Sequence, residues 1–134
     1  MNVLLKISLS VALSALPSLA GAWTARNYHK VAPVSDTVFE VVGRAGSGGQ
    51  EFWCAAGDYS RRVLGASVTQ RVYLVRGPAP AQTQNWNRAV LFSLVPPVGV
   101  DPGTSLFLSL KRVGDNLSAS AAQQYCQRDL VTRP

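Results

Sequence analysis

The side chains able to do chemistry are few in this chain: two cysteines, Cys54 and Cys126, one histidine, His29, and 7 dispersed carboxylates among 134 residues. With no second cysteine pair to complete a metal site, a disulfide is the simplest use of two thiols in an exported chain, a pair of free thiols being the other reading. A Cys54–Cys126 bridge would join positions 72 apart. In the chain-entropy model a closure of that length stabilises by about 4 kcal/mol, a large part of a small domain's margin. A Ser-His dyad or triad would have to recruit His29, and no serine stands in a nucleophile-elbow pattern. One histidine, two cysteines expected to be oxidised and scattered carboxylates make no ligand set, so neither a metal nor a cofactor is expected.

Glu51 and Asp58, seven residues apart on one helical face, are the only carboxylate pair with the look of acid–base machinery. Their backbones would stand about 10.5 Å apart, against about 5 to 5.5 Å between the carboxyls of a retaining glycosidase. Arg62, four residues after Asp58, is in the favourable order for an ion pair. A solvated helix face is therefore the expectation for Asp58. Binding candidates lie elsewhere. Trp86 sits in the loop Gly77–Asn87 among amide and hydroxyl side chains, a setting suited to stacking on a sugar or a peptide, although a loop Trp commonly folds back on its own domain. Arg61 and Arg88 are the cations singled out beside it.

These residues need a scaffold, and the periodicity supplies one. Phe52, Ala55, Ala56, Tyr59 and Val63 fall on one face of a helix over Gln50–Gly65, with Trp53 and Leu64 widening the stripe and Gly65 as its stop. Ser47 and Gln50 have capping-box spacing. Cys54, Asp58 and Arg61 lie off that stripe, so a bridge from Cys54 would draw the C-terminal segment onto the helix's second face. Before the helix, Asp36–Gly43 alternates as a half-buried strand, with Thr37, Phe39 and Val41 pointing one way and Val38, Glu40 and Val42 the other. The glycine-rich Gly43–Gly49 then joins strand to helix. It lacks the Lys-Ser/Thr pair of a P-loop and carries Glu51 where a dinucleotide fingerprint needs Gly or Ala, so it reads as a flexible turn.

Val68–Arg76 and Arg88–Val95 read as further strands, the latter apolar on both faces. Ser105–Val113 is a fourth candidate strand. A last helix is expected from Ser118 or Ser120 to about Gln127, with Ser120 and Gln123 as its capping box and Leu117, Ala121, Tyr125 and Cys126 on one side. Trp23–Ser35 reads as an extended arm. The resulting fold class is α+β: a small, mainly antiparallel sheet of three or four strands, two helices on one face and one disulfide. Asn116-Leu117-Ser118 matches a glycosylation acceptor, which has meaning only in a eukaryotic secretory pathway.

Residues 1–22 read as an export signal: Lys6, the apolar run Ile7–Leu16, Pro17, and the small residues Ala20-Gly21-Ala22 ahead of an expected cut after Ala22. Removing 22 of 134 residues leaves 112, from Trp23 to Pro134, enough for one domain with a modest core. It also removes one of the 13 basic residues, so a net charge of +6 becomes +5. That surplus favours anionic surfaces, but the arginines are scattered, so no nucleic acid is expected as a partner. No later stretch is apolar for long enough to span a bilayer.

The segment Glu51-Phe52-Trp53-Cys54-Ala55-Ala56-Gly57-Asp58-Tyr59, with Arg61-Arg62-Val63-Leu64-Gly65 and the distant Tyr125-Cys126, resembles a group of small exported bacterial proteins of unassigned function. The resemblance implies a periplasmic or secreted location and argues against glycosylation at Asn116. It carries over no catalytic or binding residue. The expected function is thus a disulfide-stabilised module that binds another exported protein or an anionic envelope component. The alternative is a small hydrolase of cell-wall or anionic polymer using Asp58, Glu51 or His29.

Overall fold

Phe39 and Val41 send their side chains to one face of a strand, and the helix that follows buries Phe52, Trp53, Ala55, Ala56 and Tyr59 against that face. The computed structural model describes residues 21–103 and 109–131. The order is β1 (Trp23–Thr24), β2 (Lys30–Pro33), β3 (Val38–Val42), α1 (Gly49–Arg62), β4 (Arg71–Ala79), β5 (Ala89–Ser93), β6 (Asn116–Ser118) and α2 (Ala119–Val131). The strands form one 6-stranded sheet in the order β1-β2-β3-β5-β4-β6, and every pairing is antiparallel. Because β5 lies between β3 and β4, the unit β3-α1-β4 is a split crossover with a strand inserted at its centre.

The class is α+β as expected, but with six strands instead of three or four. The extended arm is a hairpin: Trp23 pairs with Val31 and Thr24 with Lys30, and β2 continues onto β3. Asn116–Ser118, ahead of the last helix, pairs with Arg71–Tyr73. Of the candidate strand Ser105–Val113, positions 105–108 lie outside the described residues, and 109–113 form bends and a turn. The expected export signal also lies outside them, apart from Gly21 and Ala22.

The helix boundaries shift as well. Gly48, not Ser47, is the N-cap of α1, and the Glu51 carboxylate accepts from the Gly48 N–H at 2.9 Å. Val63 and Leu64 fall beyond the helix and are each 45% exposed, so the apolar stripe ends at Tyr59. Gly65, at φ +68, lets the Ala66 N–H turn back to the Ser60 carbonyl at 2.9 Å. Ser118 takes the place expected of Ser120: its Oγ accepts from the Ala121 N–H. Among the described residues the buried face of α2 is Ala119, Ala122 and Cys126, with Leu117 and Tyr125 packing at its margin and not at its centre.

The disulfide joins Cys54 to Cys126, both buried, and sets α2 against α1. An oxidised pair is consistent with an oxidising compartment. Gly57 makes the approach possible: a Cβ there would stand 2.4 Å from the Gln123 nitrogen and 2.7 Å from the Ala122 Cβ. Among the described residues no helix is long and apolar enough to cross a membrane.

Tyr59 is wedged between Trp23 and Phe39, at ring separations of 5.7 and 4.8 Å. Desolvation pushes its phenol above the ordinary value of 10.0. The unfolded chain then ionises first as pH rises, so this contribution to stability is intact below about pH 10 and is lost progressively above it. Urea midpoints measured from pH 8 to 11 should fall less steeply in Tyr59→Phe than in the wild type; parallel curves would show that Tyr59 does not control the alkaline limb.

Candidate functional site

Strict alternation along β4 would aim Arg76 at the core with Val72 and Leu74. A bulge between Leu74 and Arg76 prevents this, since Leu74 pairs with Phe92 and Arg76 with the adjacent Leu91. Glu40 pairs with Leu91 from the other side. Glu40, Leu91 and Arg76 therefore line up across three strands, on the face turned away from the helices.

Glu40 is 0% exposed, with Asp58 the most deeply buried carboxylate among the described residues. Its oxygens accept from the Gln82 N–H at 2.8 and 3.1 Å, the Thr83 N–H at 3.0 Å and the Thr83 hydroxyl at 2.7 Å, with the Arg76 guanidinium at 3.9 Å. The loop between β4 and β5 closes on itself by an Ala81 N–H to Trp86 carbonyl bond of 2.9 Å and is thus pinned from beneath by a carboxylate. This explains why β5 is buried on both faces.

Held in this way, the loop presents Trp86 with 45% of its surface exposed. An open cleft of about 550 Å³ is lined by Trp86, Asn85, Asn87 and Arg88 on one side and by Arg44, Ala45 and Gly46 on the other. The Gly43 N–H bonds to the Arg88 carbonyl at 2.9 Å, tying the two walls together, and the Arg88 guanidinium lies 5.8 Å from the Phe52 ring. Arg44 also borders a second cleft of about 490 Å³, with Thr24, Tyr28 and Lys30, and its guanidinium lies 5.8 Å from the Tyr28 ring. The two clefts share Arg44 and, among the described residues, have no acidic residue in their lining.

Tyr28 occupies the left-handed position of the β1-β2 turn, with φ 68, and is 66% exposed. Glycine is the usual residue there, and a bulky side chain costs roughly 1 kcal/mol or more. Next to it, His29 is buried, with Nδ1 3.2 Å from the Asn27 carbonyl and Nε2 2.7 Å from the Ser47 Oγ. A carbonyl only accepts, so Nδ1 donates to it, and in the neutral ring Nε2 then accepts from the Ser47 hydroxyl. Ser47 in turn accepts from the Arg44 N–H at 2.9 Å.

The structure thus supplies a Ser-His pair that the sequence patterns did not indicate. Its contacts tie it into the turn before α1. Ser47 lines neither cleft, and the nearby Gly48 N–H, a donor that could have faced an oxyanion, is taken by the Glu51 carboxylate. Through these bonds the pair holds the 44–47 turn that carries Arg44.

The expected solvated face at Asp58 is overturned. Asp58 is 0% exposed because α2 covers it, and it accepts from the Arg26 N–H at 2.9 Å, Arg62 at 3.1 Å and the Gln123 amide at 3.2 Å. The predicted pairing with Arg62 is present, but as one strand of a tie among the first hairpin and both helices. Of the three cations and aromatics singled out, the structure brings Trp86 and Arg88 together. Arg61 lies at the other end of α1, bonded to the Ala66 carbonyl. Arg44, Tyr28 and Glu40 were missed. The one available signal was a glutamate amid Val38-Phe39-Glu40-Val41-Val42.

The Asn116 side chain is buried and bonded to Arg71, Gly103 and Gly114, so the folded protein cannot present it for glycosylation. Among the described residues no group of three or more His, Cys, Asp or Glu is placed to hold a metal ion. Compared with protein-family models, curated proteins and solved structures, the chain matches none.

Proposed function

We propose that this protein is an exported, disulfide-stabilised binding module whose working surface is the cleft between Trp86 and Arg44. The observation that carries this reading is a half-exposed indole that lines one cleft together with Arg44 and Arg88, on a loop fixed by a buried carboxylate. Rigid aromatic and arginine side chains around a concavity are the residue types that dominate recognition. The partner is an anionic envelope component or an exported protein with an acidic face, in the periplasm or outside the cell. The oxidised cysteines, the basic surplus and the export signal read from the sequence support this setting.

The hydrolase alternative draws on one observation, the 2.7 Å contact of Ser47 with His29. Glu51 and Asp58 support it less, each being committed to the contacts already described.

Co-sedimentation with a native envelope fraction tests the proposal. Trp86→Ala should reduce the bound fraction at least fivefold, while Arg61→Ala, at the far end of α1, should leave it unchanged. Equal retention of the Trp86 variant would remove the cleft as the binding surface. Covalent labelling of Ser47 by a fluorophosphonate, lost in His29→Ala, would instead favour the hydrolase.

A further inference from the structure

We infer that the two clefts form one groove for a linear acidic glycan, with Tyr28 and Trp86 as platforms under sugar rings and Arg44 between them holding a carboxylate. This deepens the binding reading above and rests on it.

Three observations converge. The clefts share Arg44, so the hollow bordered by Tyr28 and Lys30 adjoins the one bordered by Arg88 and Trp86, and among the described residues the lining of neither includes an acidic side chain. A guanidinium in such a place pairs with a planar carboxylate through two parallel N–H···O bonds, which lysine cannot do. The remaining polar groups are Asn85, Asn87 and Thr24. Amides and a hydroxyl match the hydroxyls of a sugar, whereas a nucleic acid strand brings a charge with every nucleotide and calls for more cations than Lys30, Arg44 and Arg88 provide.

The third observation is the strain at Tyr28. A tyrosine at φ 68 in a turn that glycine would fill more easily, left 66% exposed, contributes little to the core. Conformations of this kind persist where the side chain has work to do. The turn points the ring outward with the Arg44 guanidinium over one face, and its other face and the face of Trp86 offer flat apolar surfaces to the C–H faces of pyranose rings. The supports beneath are stiff: His29 with Ser47 under Arg44, and Glu40 under the Trp86 loop.

Fluorescence titration or calorimetry of the oxidised protein tests the inference with four probes: polygalacturonate, its carboxyl-reduced neutral form, single-stranded DNA, and anionic phospholipid vesicles. Polygalacturonate should bind, the reduced form at least tenfold more weakly, and Arg44→Gln should lose at least fivefold for the acidic polymer alone. Tyr28→Gly should weaken binding at least fivefold while its melting temperature holds or rises. A drop in melting temperature alongside the lost binding would make Tyr28 a structural residue and overturn its role as a platform.

Equal binding of acidic and neutral polymer, or tighter binding of DNA or vesicles, overturns the glycan assignment. If no probe binds but Trp86→Ala still releases the protein from the envelope fraction, the glycan inference fails and the binding module stands. If that variant also stays bound, both fail.

Discussion

Replacing Glu40 by glutamine should destabilise the protein by about 3 kcal/mol and free the loop that carries Trp86. The carboxylate accepts from the Gln82 and Thr83 N–H groups and from the Thr83 hydroxyl. A carboxamide keeps one acceptor oxygen and turns an NH2 group either toward the Thr83 N–H and hydroxyl or toward the shorter of the two Gln82 contacts, so at least one loop donor faces a donor in either orientation. The loss comes mainly from the loop, because Arg76 is 31% exposed in its side chain and 3.9 Å away, so water can replace much of its pairing. Against a total margin of about 5 to 15 kcal/mol, such a loss is visible as a lowered urea midpoint. Amide exchange gives the local readout: Gln82 and Thr83 should exchange at least tenfold faster in Glu40→Gln, beyond the change seen at Val41 in the core of β3. Unchanged exchange at Gln82 and Thr83 would show that the carboxylate does not hold the loop. The same variant should bind the envelope fraction as poorly as Trp86→Ala, since the indole loses its fixed position without being removed.

How much of this was legible depends on how far apart in sequence each contact lies. The core face of α1 and the alternation of β3 are local patterns of five to fourteen residues, and both are present, though the stripe of α1 stops at Tyr59 and β3, expected to be half-buried, is buried on both faces. The bridge between Cys54 and Cys126 was legible because there was no other pairing to choose. Strands of two to four residues, such as Trp23–Thr24 and Asn116–Ser118, are too short to show a period and are fixed by their neighbours in the sheet. Alternation placed Glu40 on the second face of its strand, but nothing local shows that a loop 42 residues away supplies the donors that bury it.

Asp58 is the instructive failure. The sequence already implied that the bridge draws the C-terminal segment over the second face of α1, and Asp58 lies on that face beside Cys54. A covering helix had to bury this carboxylate, and burial then required partners besides Arg62, which Arg26 and Gln123 supply. The lining of the two clefts was half legible. Trp86 and Arg88 stood out by residue type, whereas Arg44 and Tyr28 enter only because a strained turn and the glycine-rich connection meet at one end of the sheet.

Removing the bridge and adding one methyl group at Gly57 should interact strongly, because both act on the contact between α1 and α2. Cys54→Ala/Cys126→Ala should cost about 4 kcal/mol, the closure entropy of a loop joining residues 72 apart. The effect should centre on α2, a helix of 13 residues whose described buried face has only Ala119 and Ala122 besides Cys126. A helix of that length is marginal without its packing. In the oxidised protein, Gly57→Ala places a Cβ 2.4 Å from the Gln123 nitrogen, so the helices must separate, against the pull of the bridge one turn away. The expected cost is about 2 kcal/mol, opposing the roughly 1 kcal/mol by which alanine favours a helix over glycine. Once the bridge is gone and α2 can move off, the clash disappears and the propensity remains. Gly57→Ala should then become neutral or stabilising, giving a coupling of at least about 1 kcal/mol in a cycle of urea denaturation measurements. An equal cost of Gly57→Ala with and without the bridge would show that α2 stays docked by its own packing, and that the disulfide acts on the unfolded chain alone.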